Sequence, residues 1–388
     1  MFAVPPRGPI RAVNLADVRQ AARRRLPRVL FDMIDGGSEG EATLRANDSQ
    51  FCQFELRPRQ AMPSKPTLHT RLFGDSLSMP ILLAPCGAAC FVHPGGELAM
   101  ARAAAAVGTA YVVPHVSGHA LEDVRAAAPN APAWYQLYKL GGQAVSEAAL
   151  DRAAAAGFTT LVLTVDNHGP VRERDVRNGL PALLSGRPLA MLPHIPQLLA
   201  RPRWLYRYLR TKNLQLSPNI MVNGRPMTPR EMAMSNSEPA SRFSWKDVSR
   251  IRARWKGTLV VKSILSREDA REAVDRGADG VIVSNHGGRG LDHSPATMTV
   301  LPEVVSAVAP HATILLDGGI RRASDVIKAI ALGAKAVLVG RPAMFGLSFG
   351  EAGVRQVLEI LRLDLSRTLE ALGCASLSDL SPASVTRR

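Results

Sequence analysis

Six consecutive residues, Ser284-Asn285-His286-Gly287-Gly288-Arg289, combine the means to move a proton with the means to hold an anion. His286 can exchange a proton near neutral pH, and Arg289 can grip a carboxylate through two parallel hydrogen bonds. The paired glycines let backbone pass close to a flat ligand. Taken alone, the hexapeptide is as compatible with a histidine capping a strand and an arginine in a surface ion pair. Its context therefore decides. The preceding run, Gly280-Val281-Ile282-Val283, is short, apolar and β-branched, which reads as a buried parallel strand with the chemistry at its carboxyl end.

That strand is one of eight. From residue 79 onward, short apolar runs at 80–85, 110–113, 134–138, 160–166, 259–262, 280–284, 313–317 and 336–340 alternate with helical patterns at 97–107, 121–128, 143–156, 267–276, 302–308 and 323–332. Eight strand–helix units predict an α/β protein with a (β/α)8 TIM barrel, a doubly wound sheet being the alternative. The chain reads as a single domain. Residues 1–78 form an N-terminal helical cap, with a helix over 14–35 started by Asn14. Residues 79–347 form the barrel, a long insertion at about 173–256 follows strand four, and 348–388 form a C-terminal helical tail.

Active residues of such barrels come from the carboxyl ends of the strands, and the candidates fall there. Gln136 and Tyr138 close the third run, Thr164 and Asp166 the fourth and Lys262 the fifth; Asp317-Gly318-Gly319 and Gly340-Arg341 close the seventh and eighth. The stretch Asp317-Gly318-Gly319-Ile320-Arg321, together with Gly340-Arg341, has the makings of a phosphate site, because glycine frees backbone N–H groups and each loop carries an arginine. Lys262 either stabilises negative charge on a bound group or pairs with Asp317 or Asp166. Asp166 either steadies protonated His286 or caps a helix.

The formal net charge of +15 favours anionic partners, yet no nucleic-acid motif is present, so no nucleic acid is expected. No run is long and apolar enough to span a bilayer, and the first ten residues hold no signal sequence. Cys52, Cys86, Cys90 and Cys374 lack metal-ligand spacing; no metal is expected, and a reducing cytoplasm fits. Within the insertion, residues 180–216 hold Arg187, Arg201, Arg203, Arg207, Arg210 and Lys212 but no acid. A helix over 203–210 would set its arginines against Trp204, Leu205, Tyr208 and Leu209, suiting either peripheral contact with the cytoplasmic face of a membrane or a lid or subunit contact. His115, His119, His168 and His293 lie in loops near the mouth and read as ordinary solvated histidines, His168 and His293 being nearest the chemistry.

Together the hexapeptide, Lys262, the Asp317–Arg321 and Gly340-Arg341 motifs, Leu332-Gly333-Ala334 and Gln136-Leu137-Tyr138 resemble the FMN-dependent α-hydroxy acid dehydrogenases and oxidases, a family that includes L-lactate and mandelate dehydrogenases and glycolate oxidase. The resemblance runs from about residue 14 to 380. It implies FMN as cofactor and oxidation of an L-2-hydroxy acid to the 2-oxo acid. His286 would be the base, taking its proton from carbon or from the hydroxyl, with Asp166 supporting its charged form. Arg289 and Arg172 would hold the substrate carboxylate, and Tyr138 the reacting oxygen. Pro85, Cys86, Gly87, Gln136, Thr164, Lys262 and Ser284 would line the flavin; Asp317, Gly319, Arg321, Gly340 and Arg341 would hold its phosphate-bearing tail. Family precedent implies a homotetramer.

The chain departs from that pattern in places. Met33 stands where the family usually has a substrate-binding tyrosine, Pro114 and Val116 replace a serine and an aromatic residue, Gly290 replaces a glutamine and Ser263 a glycine. The expected substrate is lactate-like or larger, these departures leaving room for an acid more apolar than lactate; the alternatives are an oxygen-using 2-hydroxy acid oxidase and a divergent member acting on a modified peptide or another hydroxylated carbonyl compound. Gly87, where many oxidases carry alanine, points to a quinone or cytochrome as electron acceptor in place of oxygen.

Overall fold

The apolar runs become eight parallel strands because each is buried on both faces, as Gly280–Val283 is throughout. In a computed structural model, described for residues 8–60, 62, 65–166, 172–185, 188–211, 217–228, 231–232, 235 and 241–388, the strands are β1 (Ile81–Leu83), β2 (Tyr111–Val113), β3 (Ala133–Leu137), β4 (Thr160–Thr164), β5 (Thr258–Ile264), β6 (Gly280–Val283), β7 (Thr313–Asp317) and β8 (Ala336–Val339). They pair in chain order, and β8 closes onto β1. His168, Arg187 and Lys212 lie outside the described residues.

Side chains fill the barrel, among them Leu82, Val112, Trp134, Val162, Val260, Ile282, Leu315 and Leu338, one from each strand. A hairpin of Thr70–Leu72 and Asp75–Leu77 adds Leu72 and Leu77 to this core, and its Asp75 accepts the Trp134 indole N–H at 2.8 Å. A larger apolar layer lies between strands and helices.

The cap differs from expectation in one respect. In place of one helix over 14–35 there are two, α1 (Leu15–Arg25) and α2 (Arg28–Asp35), because Pro27 lacks an N–H and holds Leu26 extended at ψ 150°. Asn14 does cap α1, its side chain accepting from Asp17 N at 3.0 Å. A third helix, α3 (Ala42–Gln50), lies against the loop after β6. Helix α4 (Gly96–Val107) follows β1, and α5 (Pro202–Arg210) belongs to the insertion. The helix expected from Pro302 starts five residues earlier, at Thr297, and carries Pro302 inside it. After β8 come α6 (Arg341–Leu347) and the long α7 (Glu351–Ala371), which packs on α4, α6 and the helix Ala323–Ala331; the final strand Val385–Arg387 pairs with Phe54–Leu56 and ties the chain's end to its cap.

Candidate active site

The loop after β6 is held in an unusual shape. His286, Gly287 and Gly288 take three successive left-handed conformations, φ 56°, 64° and 74°. A Cβ on Gly288 would stand 2.6 Å from Leu44 N, and one on Gly287 2.6 Å from Arg341 Nη1. On the side where a Cβ would stand, the room these glycines leave is taken by α3 and by a guanidinium, while Gly287 also lines the cavity described below. Ser38 grips the loop from the cap, N to Gly288 O at 2.9 Å and Oγ to Arg289 O at 2.9 Å.

This shape sets the His286 imidazole between two partners. Its Nδ1 lies 2.8 Å from Asp166 Oδ2 and its Nε2 3.3 Å from the Tyr138 hydroxyl. Burial alone would raise the Asp166 carboxyl, but the charge and hydrogen bond of His286 outweigh it and hold Asp166 down at about 2. Asp166 is thus an anion held against the imidazole, placed to steady any positive charge that His286 would carry. Burial, and then the Asp166 charge, push the Tyr138 phenol well above its ordinary value, so it stays protonated and can donate a hydrogen bond.

Arg289 spends one nitrogen on the end of α2, Nη1 donating to Met33 O at 2.6 Å. Its Nε and Nη2 carry no hydrogen bond among the described residues, and the side chain lines the cavity. Arg172 lines the same cavity with Nε 3.1 Å from Asp175. Met33 is buried in the wall.

At the other end, Lys262 is buried with Nζ 2.8 Å from Ser284 Oγ and 3.1 Å from Asp317 Oδ2, so the salt bridge that the sequence allowed is present. Asp317 Oδ1, also buried, has no hydrogen-bond partner among the described residues. The Arg341 side chain turns to carbonyls, Nε to Ile34 O, Nη1 to Gly287 O and Nη2 to Gly36 O at 3.1, 2.8 and 2.9 Å. Burial and the neighbouring Arg321 charge push its pKa down to about 10. Arg321 itself is partly exposed, with Nη2 3.4 Å from Asp48.

One cavity of about 570 Å³ joins both ends, a volume usual for a small-molecule site. It brings together the sequence candidates Pro85, Cys86, Gly87, Gln136, Tyr138, Asp166, Lys262, His286, Arg289, Asp317, Gly319, Arg321, Gly340 and Arg341. Thr164 and Ser284 lie behind its wall: Thr164 Oγ1 accepts from Gln136 at 3.1 Å, and Ser284 Oγ serves Lys262 and, at 3.1 Å, the His286 N–H. Four departures from the family pattern, Met33, Pro114, Val116 and Gly290, all line the cavity.

Sequence reasoning missed Leu140, Leu180, Leu184 and Met232, which add apolar wall; three come from the insertion, whose spacing carries no sign of where it folds back. It also missed Asn285, which exchanges two amide hydrogen bonds with Asn47. His115 is not solvated: it is fully buried, its Nδ1 accepts the Tyr138 N–H at 3.3 Å, and burial pushes it down to about 4. In α5, Trp204 faces inward, its indole N–H bonded to Phe91 O at 2.8 Å and its ring stacked on Tyr208. Among the described residues of this region, the apolar side chains left exposed include Leu189, Leu192, Leu199, Tyr206 and Leu209, with Leu184 and Ile195 less so. None of the described helices is long and apolar enough to cross a membrane.

Comparison with known proteins agrees with this geometry. The profile of one family, described as FMN-dependent dehydrogenase, matches residues 22–387. An L-lactate dehydrogenase of Pectobacterium atrosepticum is 40% identical over 96% of this chain and 96% of its own, and one of Pseudomonas aeruginosa is 41% identical over 96% and 97%. Among solved structures, a monotopic membrane protein, (S)-mandelate dehydrogenase, superposes with a TM-score of 0.90 at 35% identity, covering 97% of this chain and all of that one.

Proposed function

The chain belongs to the FMN-dependent dehydrogenases, and on that footing we propose that it oxidises an L-2-hydroxy acid whose side chain is larger and more apolar than that of lactate. It is an FMN-dependent 2-hydroxy acid dehydrogenase. The residues fit the cofactor: the partnerless Asp317 Oδ1 suits a hydroxyl of its ribityl chain, and the cationic corner of Arg321 and Arg341 suits its phosphate. Pro85, Cys86, Gly87, Gln136 and Lys262 would hold the ring, backed by Thr164 and Ser284, and Asp317, Gly319, Arg321, Gly340 and Arg341 the tail. The Arg341 contribution would come from its backbone, since its side chain is engaged elsewhere. FMN, when bound, supplies the two-electron acceptor.

The chain's own residues do the rest. The Nε and Nη2 edge of Arg289, with Arg172, receives the substrate carboxylate. Tyr138 donates a hydrogen bond to the substrate oxygen, and His286 removes one proton and keeps it, steadied by Asp166. The observation that carries the substrate reading is the wall beside this constellation: Met33, Val116, Leu140, Leu180 and Met232 offer no polar side chain to a substrate's tail. Mandelate, with its phenyl group, is the first candidate, and the name of the structural neighbour supports it.

Anaerobic mixing with a panel of 2-hydroxy acids, followed as bleaching of flavin absorbance, tests this. Mandelate or a long or branched aliphatic acid should give a kcat/KM at least about tenfold above that of lactate, since each buried methylene contributes roughly 0.8 kcal/mol. Lactate as the best substrate would overturn the substrate reading alone; no bleaching by any acid would favour a modified peptide or other hydroxylated carbonyl substrate.

Electrons would leave to a quinone or cytochrome, and the exposed Leu189, Leu192, Leu199, Tyr206 and Leu209 would rest on a membrane surface, with Arg203, Arg207 and Arg210 near the anionic headgroups. The monotopic character named for the mandelate dehydrogenase supports this reading.

A further inference from the structure

Away from the cavity, three side chains that no step above uses converge on a point. Cys90 follows β1 in a four-residue helix, Glu97 lies in the first turn of α4, and His119 lies in the loop after β2. Glu97 Oε2 is 3.0 Å from His119 Nδ1 and 3.4 Å from Cys90 Sγ, and Cys90 Sγ is 3.3 Å from His119 Nδ1. We propose that Cys90 Sγ, Glu97 Oε2 and His119 Nδ1 form a structural site for a divalent cation of Zn2+ type, which ties the loops after β1 and β2 together.

Protons satisfy this triangle poorly. With the carboxylate ionised, the thiol and the imidazole bring two N–H or S–H protons at most, so one of the three short edges is left without a hydrogen bond. A cation serves all three at once. Corners about 3.2 Å apart each lie within roughly 2 Å of a point near the triangle's centre, matching Zn–N, Zn–O and Zn–S bonds of ~2.0–2.3 Å. Thiolate, carboxylate and neutral imidazole also cancel a charge of two, which matters because the Glu97 side chain is wholly buried and its ion pair among the described residues is with His119. The donor set of sulfur, nitrogen and oxygen suits Zn2+ over the harder Mg2+ or Ca2+.

The surroundings hold the three ligands in place. A Cβ on Gly118 or on Gly96 would come within 2.3 or 2.6 Å of Cys90 Sγ, so glycine at both positions is what admits the sulfur. Gly118 N donates to Glu97 Oε1 at 3.2 Å, which fixes the second carboxylate oxygen and leaves Oε2 for the ion. The His119 side chain is 21% exposed, giving a fourth, water-filled position a route to solvent. Cys90 stands three residues after Gly87 and His119 three after Val116, and both Gly87 and Val116 line the catalytic cavity. An ion here would brace that wall without touching substrate.

The test uses tag-free holoenzyme stripped with a chelator and titrated with Co2+, whose tetrahedral ligand-field bands lie to the red of flavin absorption. One Co2+ per chain should bind and be displaced by Zn2+. Cys90→Ser and His119→Ala should each weaken Co2+ binding about 100-fold or more, while Cys52→Ser, at an exposed thiol elsewhere, leaves it unchanged. Retained flavin absorbance in the same samples reports an intact fold. Failure of the wild-type holoenzyme to take up Co2+, or equal binding by Cys90→Ser, would overturn the proposal.

Discussion

Asn47 of the N-terminal cap and Asn285 of the loop after β6 exchange two hydrogen bonds, each amide nitrogen 2.8 Å from the other's oxygen, and Asn285 Oδ1 also accepts the Gly288 N–H at 3.1 Å. Both amides are buried, and through them α3 sets the loop that carries His286 and Arg289. Asn47→Ala leaves the Asn285 amide partly unsatisfied inside the protein, at a cost of about 1–3 kcal/mol. Thermal unfolding should show that loss, and the rate of anaerobic flavin bleaching should fall at least about tenfold as the loop loosens. An unchanged rate would mean that the loop holds its shape without α3.

Asp166→Asn tests the pairing with His286. The asparagine keeps the shape but removes the anion, so flavin bleaching should slow by about 100-fold or more. Stability should follow pH in a set direction. The carboxyl sits at about 2 in the fold, below its unfolded value of about 3.9, so its contribution, roughly 2 kcal/mol, is fully present above pH ~4 and lost as pH falls towards 2. The gap in stability between wild type and variant should therefore close over that window, as denaturant titrations at stepped pH would show.

Lys262→Met removes a buried cation from between Asp317 and Ser284. The Asp317 carboxylate is then left buried and uncompensated, a loss of about 3–5 kcal/mol. Chemical denaturation measures that loss, and the variant should retain little FMN through gel filtration.

Ser263 occupies φ 84°, at the β-bulge where the pairing of β5 with β6 shifts register. A side chain in that region is strained, and glycine is not. Ser263→Gly should raise stability by about 1 kcal/mol, seen as a higher unfolding midpoint, with no loss of bound flavin.

Replacing Leu199 and Leu209, 62% and 73% exposed, with serine should weaken sedimentation with anionic vesicles at least about tenfold, because on the proposed membrane reading the lost contacts would be with lipid and not with the fold. Trp204 is the control in the opposite sense: it is buried against Phe91, and Trp204→Ala should destabilise the protein. Equal pelleting of the Leu variants would dismiss the membrane surface.

Local pattern made much of this protein legible from its sequence. Runs such as Val281-Ile282-Val283 show burial on both faces because neighbours along a strand share its surroundings, and eight such runs with helices between them define a barrel whose strand ends carry the chemistry. From that, Asp166 beside His286 and Lys262 beside Asp317 could be expected, and both pairs are there. Pro27, by contrast, was a local signal overlooked, and it splits the first helix.

What only the tertiary structure decided are contacts between segments far apart in the chain. The reciprocal amides of Asn47 and Asn285, the turn of Arg341 towards the end of α2, the inward face of Trp204, the arrival of Leu180 and Met232 at the cavity, and the meeting of Cys90, Glu97 and His119 all depend on where loops come to rest once the barrel closes. Residue spacing reports which face of an element is buried, because that follows from the geometry of a single helix or strand. It holds no record of which distant side chain fills the space opposite, since that is settled by packing across the whole fold.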